Sequence, residues 1–184
     1  MTLGQMSKKI IGSYLAIDLM LLFINLPFNN LVVNIIQDSK KMVTVTPKPI
    51  PCIVLGFFTL IIFFALMVGY MGPVGEKIKS PTSDAPVDKL LALKAAAICF
   101  ALPFLFGVFT SLSGAGLLLP GFYDGMKFVF NLFFAPVFGF TQIFYNQTWL
   151  YPIFPALIMP GVIQLAYWII IKGFKLPSIF YRDK

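Results

Sequence analysis

The first strongly apolar stretch of the chain contains an acid and two amides whose spacing could place them on one face of a helix. Asp18 is followed by Asn25 at i+7 and by Asn29 at i+11, and Tyr14 precedes it by one turn. With 3.6 residues per turn, these side chains form one stripe, and we call Asp18, Asn25 and Asn29 the first polar seam. Inserting an Asp at the centre of a membrane helix costs roughly 2.5 to 3.5 kcal/mol, so the seam is expected to face protein or water.

Two interpretations of the first polar seam follow from this chemistry. In one, Asp18 contacts a cation, a proton or a polar substrate. In the other, a protonated or hydrogen-bonded Asp18 holds neighbouring helices together. Pro27 weakens the register beyond Asn25, because proline frees a backbone carbonyl and usually kinks a helix.

An aromatic-rich segment later in the chain contains a second set of polar residues. Asp124, Asn131 and Gln142 are placed at i, i+7 and i+18, again near one helical face. We call them the second polar seam and expect that it could meet the first. Pro136 lies between its members and weakens the spacing argument.

Other groups that carry chemistry are few. The chain has no histidine and only two cysteines, and its seven acids form no carboxylate pair. The usual haem ligand, the commonest metal ligand and the commonest general base are therefore missing. The sequence predicts a protein that is not an enzyme, with no catalytic residues, no metal or haem ligation and no cofactor.

Composition places these residues in an integral membrane protein. The 184 residues are 59% hydrophobic and 11% charged, whereas soluble domains carry about 25% charged residues. Basic residues lie at the ends of the apolar segments, where they mark topology and contact lipid headgroups. The sequence shows no basic face interleaved with aromatic residues, so it gives no indication of nucleic-acid binding. The predicted fold is all-α, a single transmembrane domain of four or five helices, several of them kinked by proline.

The hydropathy pattern divides this domain into spans and connections. The predicted spans are 10–36, 50–72, 89–111 and 149–171, and a further apolar segment covers 122–145. The predicted connections are polar loops at 37–49 and 73–88 and a basic tail at 172–184. Asn146 begins a glycosylation-type motif with Thr148, although such a motif is common by chance.

The number of spans stays open between two alternatives. With four spans and the N-terminus on the cytoplasmic or equivalent side, most basic residues lie inside, as the positive-inside rule expects. That topology requires 113–148 to be re-entrant or half-inserted and covered by protein. Five complete spans fit the hydropathy better but place the basic tail outside.

Function is expected to follow from this placement in the bilayer. The sequence favours a non-catalytic membrane-embedded subunit of a larger complex, with an accessory, scaffolding or assembly role. Its expected partners are the bilayer, bound lipids and other transmembrane subunits. The alternative is a small transporter or channel component that uses the seam around Asp18. An integral enzyme acting on lipid fits the residues least.

Overall fold

The computed structural model describes residues 2–37, 43–78, 87–117, 125, 129, 131, 133–143 and 150–172. Across these residues the architecture is a helical bundle, which confirms the predicted all-α membrane fold. The helices are α1 (Leu3–Val32), α2 (Pro49–Ile78), α3 (Leu91–Gly114), α4 (Phe138–Ile143) and α5 (Leu150–Ile171). Four helices in the described part, all but α4, are long and apolar enough to cross a membrane.

Helix α1 begins seven residues before the predicted start of the first span. Thr2 and Gln5 exchange hydrogen bonds, with the Thr2 amide donating to Gln5 Oε1 (3.1 Å) and the Gln5 amide donating to Thr2 Oγ1 (3.4 Å). This is a capping box, which satisfies amides that have no partner within the first turn. The polar N-terminus therefore starts the helix, and the apolar run only continues it.

A short β-hairpin replaces the predicted end of the first span and much of the following loop. Strands β1 (Val33–Gln37) and β2 (Val43–Pro47) pair in antiparallel register, with Val33 opposite Pro47 and Gln37 opposite Val43. Both strands are rich in β-branched residues, which favour extended backbone. The span predicted over 10–36 therefore leaves the helical conformation after Val32.

Helix α2 continues six residues beyond Gly72, where the predicted second span ends. Pro73 lies inside the helix, which ends at Ile78. A Cβ placed on Gly75 would overlap the side chain of Ile170 on α5. The glycine therefore permits close helix packing at this point instead of ending the helix.

The most extensive packing in the described bundle joins α3 and α5. Three alanines of α3 are fully buried, as are the facing core residues of α5. Small side chains let two helix backbones approach closely, which is the main source of packing in a bilayer. The buried residues concerned are Ala92, Ala95 and Ala96 on α3, with Met159, Ile163, Ala166 and Tyr167 on α5.

Contacts near the helix ends establish the relative directions of the helices. Gln164 near the end of α5 bonds to Lys89 and Leu93 at the start of α3, so these two helices are antiparallel. Gly75 meets Ile170 where α2 and α5 both end, so that pair is parallel. We call this the latch end of the bundle, and we call the opposite end, where α1 leads into β1, the hairpin end.

Helix α3 therefore ends, and α5 begins, at the hairpin end. The chain between them, part of which lies outside the described residues, therefore starts and finishes at the same end of the bundle. Inside it, a 3₁₀ turn over Ala135–Val137 precedes the six-residue α4. Four long apolar helices fit the four-span alternative, in which 113–148 is half-inserted, and that insertion stays a prediction. We call its described residues 133–143 the half-inserted segment.

Candidate functional site

The first polar seam faces the interior of the bundle. Asp18 and Asn25 lie on the buried face of α1, with only 4% and 2% of their surface exposed. Tyr14, one turn earlier, is also buried, and its ring makes edge contacts with Phe63 and Phe100. The side chain of Asn29 lies outside the described part of the chain. The high cost of a lipid-facing acid explains why this face is turned inward.

Both buried side chains of the seam bind the same residue of the half-inserted segment. The Ala135 amide donates to Asp18 Oδ1 (3.0 Å), and Asn25 Nδ2 donates to the Ala135 carbonyl (2.8 Å). Residue 134 precedes the 3₁₀ turn in non-helical conformation (φ −130°, ψ 36°), so helical bonding is interrupted here. Asp18 and Asn25 therefore supply the partners that a regular helix would have supplied.

Two further side chains bind the backbone on either side of Ala135. The Tyr14 hydroxyl donates to the Phe133 carbonyl at 2.5 Å. On α2, Thr59 Oγ1 lies 2.9 Å from the Pro136 carbonyl and at a similar distance from the Leu55 carbonyl of its own helix. We call these four side chains, Tyr14, Asp18, Asn25 and Thr59, together with residues 133–136, the break site.

A glycine contact holds α4 beside the break site. A Cβ on Gly139 would overlap the Cys52 carbonyl and the backbone of Gly56, so α4 and α2 touch backbone to backbone. On the other side of the contact, a Cβ on Gly56 would lie 2.8 Å from the ring of Phe140. Only residues without side chains allow this approach. The half-inserted segment is therefore held by packing as well as by hydrogen bonds.

The structure describes only part of the second polar seam. Asp124 lies outside the described residues, and Asn131 is helical and half-buried. Gln142 is 4% exposed, and its Nε2 is buried with no hydrogen-bond partner in the described part. The first seam reaches this segment through the backbone of Ala135. The functional role of both seams stays a prediction.

A second polar cluster lies at the latch end, at the start of α3. Asp88 accepts a hydrogen bond from the Leu90 amide (2.9 Å) and forms an ion pair with Lys94 (2.8 Å). The hydrogen bond from Lys94, followed by that from the Leu90 amide, lowers the pKa of Asp88 below its usual range. This exposed acid lies just before α3 and binds the amide of the N-cap residue Leu90, and a negative charge is favourable near a helix N-terminus.

Helix α5 contributes two side chains to this latch cluster. Gln164 accepts from the Leu93 amide and donates to the Lys89 carbonyl, both at 2.7 Å. The Tyr167 hydroxyl donates to the Asp88 carbonyl at 3.0 Å. Together with Asp88 and Lys94, these residues form the latch site. Each α5 side chain satisfies polar backbone groups at the exposed beginning of α3.

Sequence reasoning missed Thr59, Gln164 and Tyr167. Thr59 and Gln164 are single polar residues in otherwise apolar spans, and that signal could have marked them. Tyr167 lies in the last predicted span, is fully buried and donates a hydrogen bond to the Asp88 carbonyl before α3. A polar group in hydrocarbon tends to find an internal partner, which is what unites these three residues.

The chemistry available at the break site is that of hydrogen bonds and one carboxylate. Within the described ranges, no three His, Cys, Asp or Glu side chains are grouped as metal ligands. The two cysteines, Cys52 and Cys99, are not joined in a disulfide. No protein-family model, characterised protein or solved structure gives a significant match to this chain. The arrangement of its own residues is therefore the basis for any functional conclusion.

Proposed function

We propose that this chain is a non-catalytic, membrane-embedded subunit of a larger membrane complex. The observation that supports this most directly is the use of the first polar seam. Asp18 and Asn25 both bind Ala135 of the same chain, and Tyr14 and Thr59 bind the neighbouring carbonyls. The buried polar groups thereby stabilise an irregular segment of the chain itself, which is a structural role.

The outer surface of the bundle supplies a second argument. On α1, Gly12 and Ala16 are exposed and four residues apart, and a Cβ on Gly12 would meet nothing within 4 Å. On α3, Ala97 and Ala101 are exposed at the same spacing. Small residues four apart let another transmembrane helix approach closely. These two faces are suited to contact with neighbouring subunits.

Purification tests this proposal. The tagged full chain, expressed in its own membrane and extracted in mild detergent, is expected to co-purify with other chains in fixed stoichiometry. Gly12→Leu is expected to weaken that association, and Leu102→Ile on the exposed face of α3 serves as the matched control. A monodisperse chain that is stable alone and unaffected by Gly12→Leu would contradict the proposal.

A transporter or channel component is the second candidate, and one observation favours it. Asn25 Oδ1 and Gln142 Nε2 are buried polar atoms with no hydrogen-bond partner in the described part of the structure. Such atoms suit a polar substrate or ordered water beside a broken helix. In liposomes, a flux lost in Asp18→Asn and kept in Asp88→Asn would favour this candidate over the subunit.

The distribution of basic residues between the two ends of the bundle also supports an orientation in the membrane. Of the 14 Lys and Arg residues, four belong to connections at the hairpin end and the other ten (14 − 4) to the latch end or its connections. Those four are Lys40, Lys41, Lys48 and Lys127. Because basic residues concentrate on the cytoplasmic side, we infer that the latch end, with the N-terminus, faces the cytoplasm or its equivalent. Labelling of single cysteines at positions 8 and 41 from each side tests this inference.

A further inference from the structure

The junction of α3 with α5 at the latch end lies at one edge of the membrane-spanning part of the bundle. The candidate span of α3 begins at Leu91, and that of α5 ends at Ile171. The Tyr167 hydroxyl donates to the Asp88 carbonyl at 3.0 Å, so the beginning of α3 and the end of α5 lie side by side. Residues just outside both spans are therefore expected at the depth of the lipid headgroups.

Two lysines and one tryptophan are exposed at this junction. Lys89 and Lys172 lie just outside the two spans. Trp168 precedes Lys172 by one helical turn, and Lys172 Nζ lies over the Trp168 ring, 3.4 Å from its centroid. Trp168 also follows Gln164 by one turn on the same face of α5, and Gln164 Nε2 donates to the Lys89 carbonyl (2.7 Å). These contacts place both lysines beside the tryptophan, and we call Lys89, Trp168 and Lys172 the headgroup patch.

The charge around the headgroup patch favours an anionic partner. Among the described residues, the acid at this junction is Asp88, and its ion pair is with Lys94. By sequence, the latch end and its connections hold ten basic residues and four acids, a net charge of +6 (10 − 4). The hairpin end and its connections hold four basic residues and two acids, a net charge of +2 (4 − 2). The acids counted are Glu76, Asp84, Asp88 and Asp183 at the latch end, with Asp38 and Asp124 at the hairpin end.

The outer surface of α5 next to the headgroup patch is apolar. Leu157 and Leu165 are exposed and lie on the same helical face as Trp168. In a bilayer these leucines face hydrocarbon, so lipid acyl chains lie beside the patch. The partner that fits this surface therefore combines an anionic group with acyl chains, as a phospholipid does and a free phosphate ion does not.

We propose that the headgroup patch binds the phosphate group of an anionic phospholipid. The ammonium groups of Lys89 and Lys172 donate to the phosphate oxygens, and their two charges favour an anionic headgroup over a zwitterionic one. Trp168 lies between headgroup and acyl chains, the position that tryptophan prefers in membranes. A subunit and a transporter could each carry this site, so it does not depend on the proposed function.

Fluorescence quenching of Trp168 measures which lipid occupies the headgroup patch. The full chain with Trp149→Phe, which leaves Trp168 as its one tryptophan, is placed in nanodiscs of phosphatidylglycerol and phosphatidylcholine. Either lipid in turn carries bromine on its acyl chains, and the two quenching curves give the relative affinity. We expect a preference for phosphatidylglycerol of about fivefold or more, since one lysine near an anionic surface contributes about that factor.

Lysine variants test whether the preference belongs to the headgroup patch. Lys89→Gln and Lys172→Gln should each lower it severalfold, and the two together should bring it close to one. Lys8→Gln is the matched control, because it removes an exposed charge from the latch end but on α1, and it should leave the preference unchanged.

Three outcomes would overturn the proposal. Equal quenching by the two brominated lipids would show that the headgroup patch does not select an anionic headgroup, and this measurement needs no lysine variant to fold. A loss in Lys8→Gln as large as that in Lys172→Gln would assign the preference to the overall charge of the latch end. Quenching by neither lipid would show that another protein surface, such as a second copy of the chain, covers Trp168.

Discussion

The break site and the latch site each contain an aspartate that accepts a backbone amide, but in opposite surroundings. Asp18 is buried in the middle of α1 and binds Ala135, 117 residues away in the chain. Asp88 is exposed before α3 and binds Leu90, two residues away, and Lys94, six away. The same kind of hydrogen bond therefore joins distant elements in one place and closes a local turn before α3 in the other.

This difference predicts which substitutions will most reduce the free energy of unfolding. At the latch site water can replace a lost partner, and exposed ion pairs contribute about 0 to 1 kcal/mol. At the break site no water is expected from the hydrocarbon side, so a lost partner leaves a buried polar group unsatisfied. The free energy of unfolding should therefore depend strongly on the break site and weakly on the latch.

The largest effect is expected from the glycine contact that holds α4 beside the break site. Gly139→Ala places a Cβ against the backbone of Cys52 and Gly56, which cannot move as a flexible side chain would. We expect the free energy of unfolding to fall by about 3 kcal/mol or more. Unfolding in mixed micelles, followed by tryptophan fluorescence, measures this loss.

The matched control is Gly161→Ala on α5, where a Cβ would meet nothing within 4 Å. This variant should be at least as stable as the wild type, because alanine favours helix over glycine by about 1 kcal/mol. Equal stability of Gly139→Ala and Gly161→Ala would show that α4 is not held against α2 as described.

A smaller loss is expected when the buried acid is truncated. Asp18→Ala leaves the Ala135 amide without its acceptor, which should cost about 1 to 3 kcal/mol of unfolding free energy. Asp18→Asn keeps an acceptor oxygen and should cost less. Asp88→Ala is the exposed counterpart and should change stability much less, because water screens the exposed pair and replaces the lost partner. An equal loss for the two alanine variants would remove the distinction between the sites.

Valine variants of two buried threonines isolate a single contact at the break site. Thr59 and Thr110 are both fully buried and both bond to a carbonyl four residues earlier, but Thr59 also reaches Pro136 on the half-inserted segment. Thr59→Val should therefore cost about 1 kcal/mol more than Thr110→Val. The difference between the two unfolding free energies isolates the contact, and a difference near zero would argue against it.

The smallest effect is expected at the latch site and depends on pH. Because the pKa of Asp88 is lowered in the folded chain, its stabilising contribution is complete above the usual carboxyl pKa. That contribution is lost as the pH falls through the lowered value. The Tm difference between wild type and Asp88→Asn should thus shrink in acid and be constant near neutral pH. A Tm difference that grows in acid would contradict a lowered pKa of Asp88 in the folded chain.

Particular residues show how far the sequence could predict the site. Asp18 and Asn25 were recognisable because polar groups in an apolar helix are costly and a helix has a regular period. Their partner could not be recognised, because Ala135 takes part through its backbone amide and carbonyl, and its side chain gives no signal in the sequence. Thr59, Gln164 and Tyr167 were likewise missed, because each acts on the backbone of another element.

Local chemistry also explains the misplaced boundaries. The second span was predicted to end at Gly72, but α2 continues through Pro73 to Ile78 and packs Gly75 against Ile170. The β-branched residues after Val32 form a hairpin, although hydropathy had included them in the first span. In each case a contact with another segment outweighed the local preference.

By itself, the sequence determined that this chain belongs in a membrane, that at least four of its segments are long and apolar enough to cross it, and that Asp18 is expected to face inward. Those properties depend on local composition and on the helical period. Only the tertiary structure decided that α3 ends and α5 begins at one end of the bundle, and that Ala135 lies between Asp18 and Asn25. The reason is physical: burial cost is a property of each residue, whereas the partner that offsets it depends on how distant segments pack.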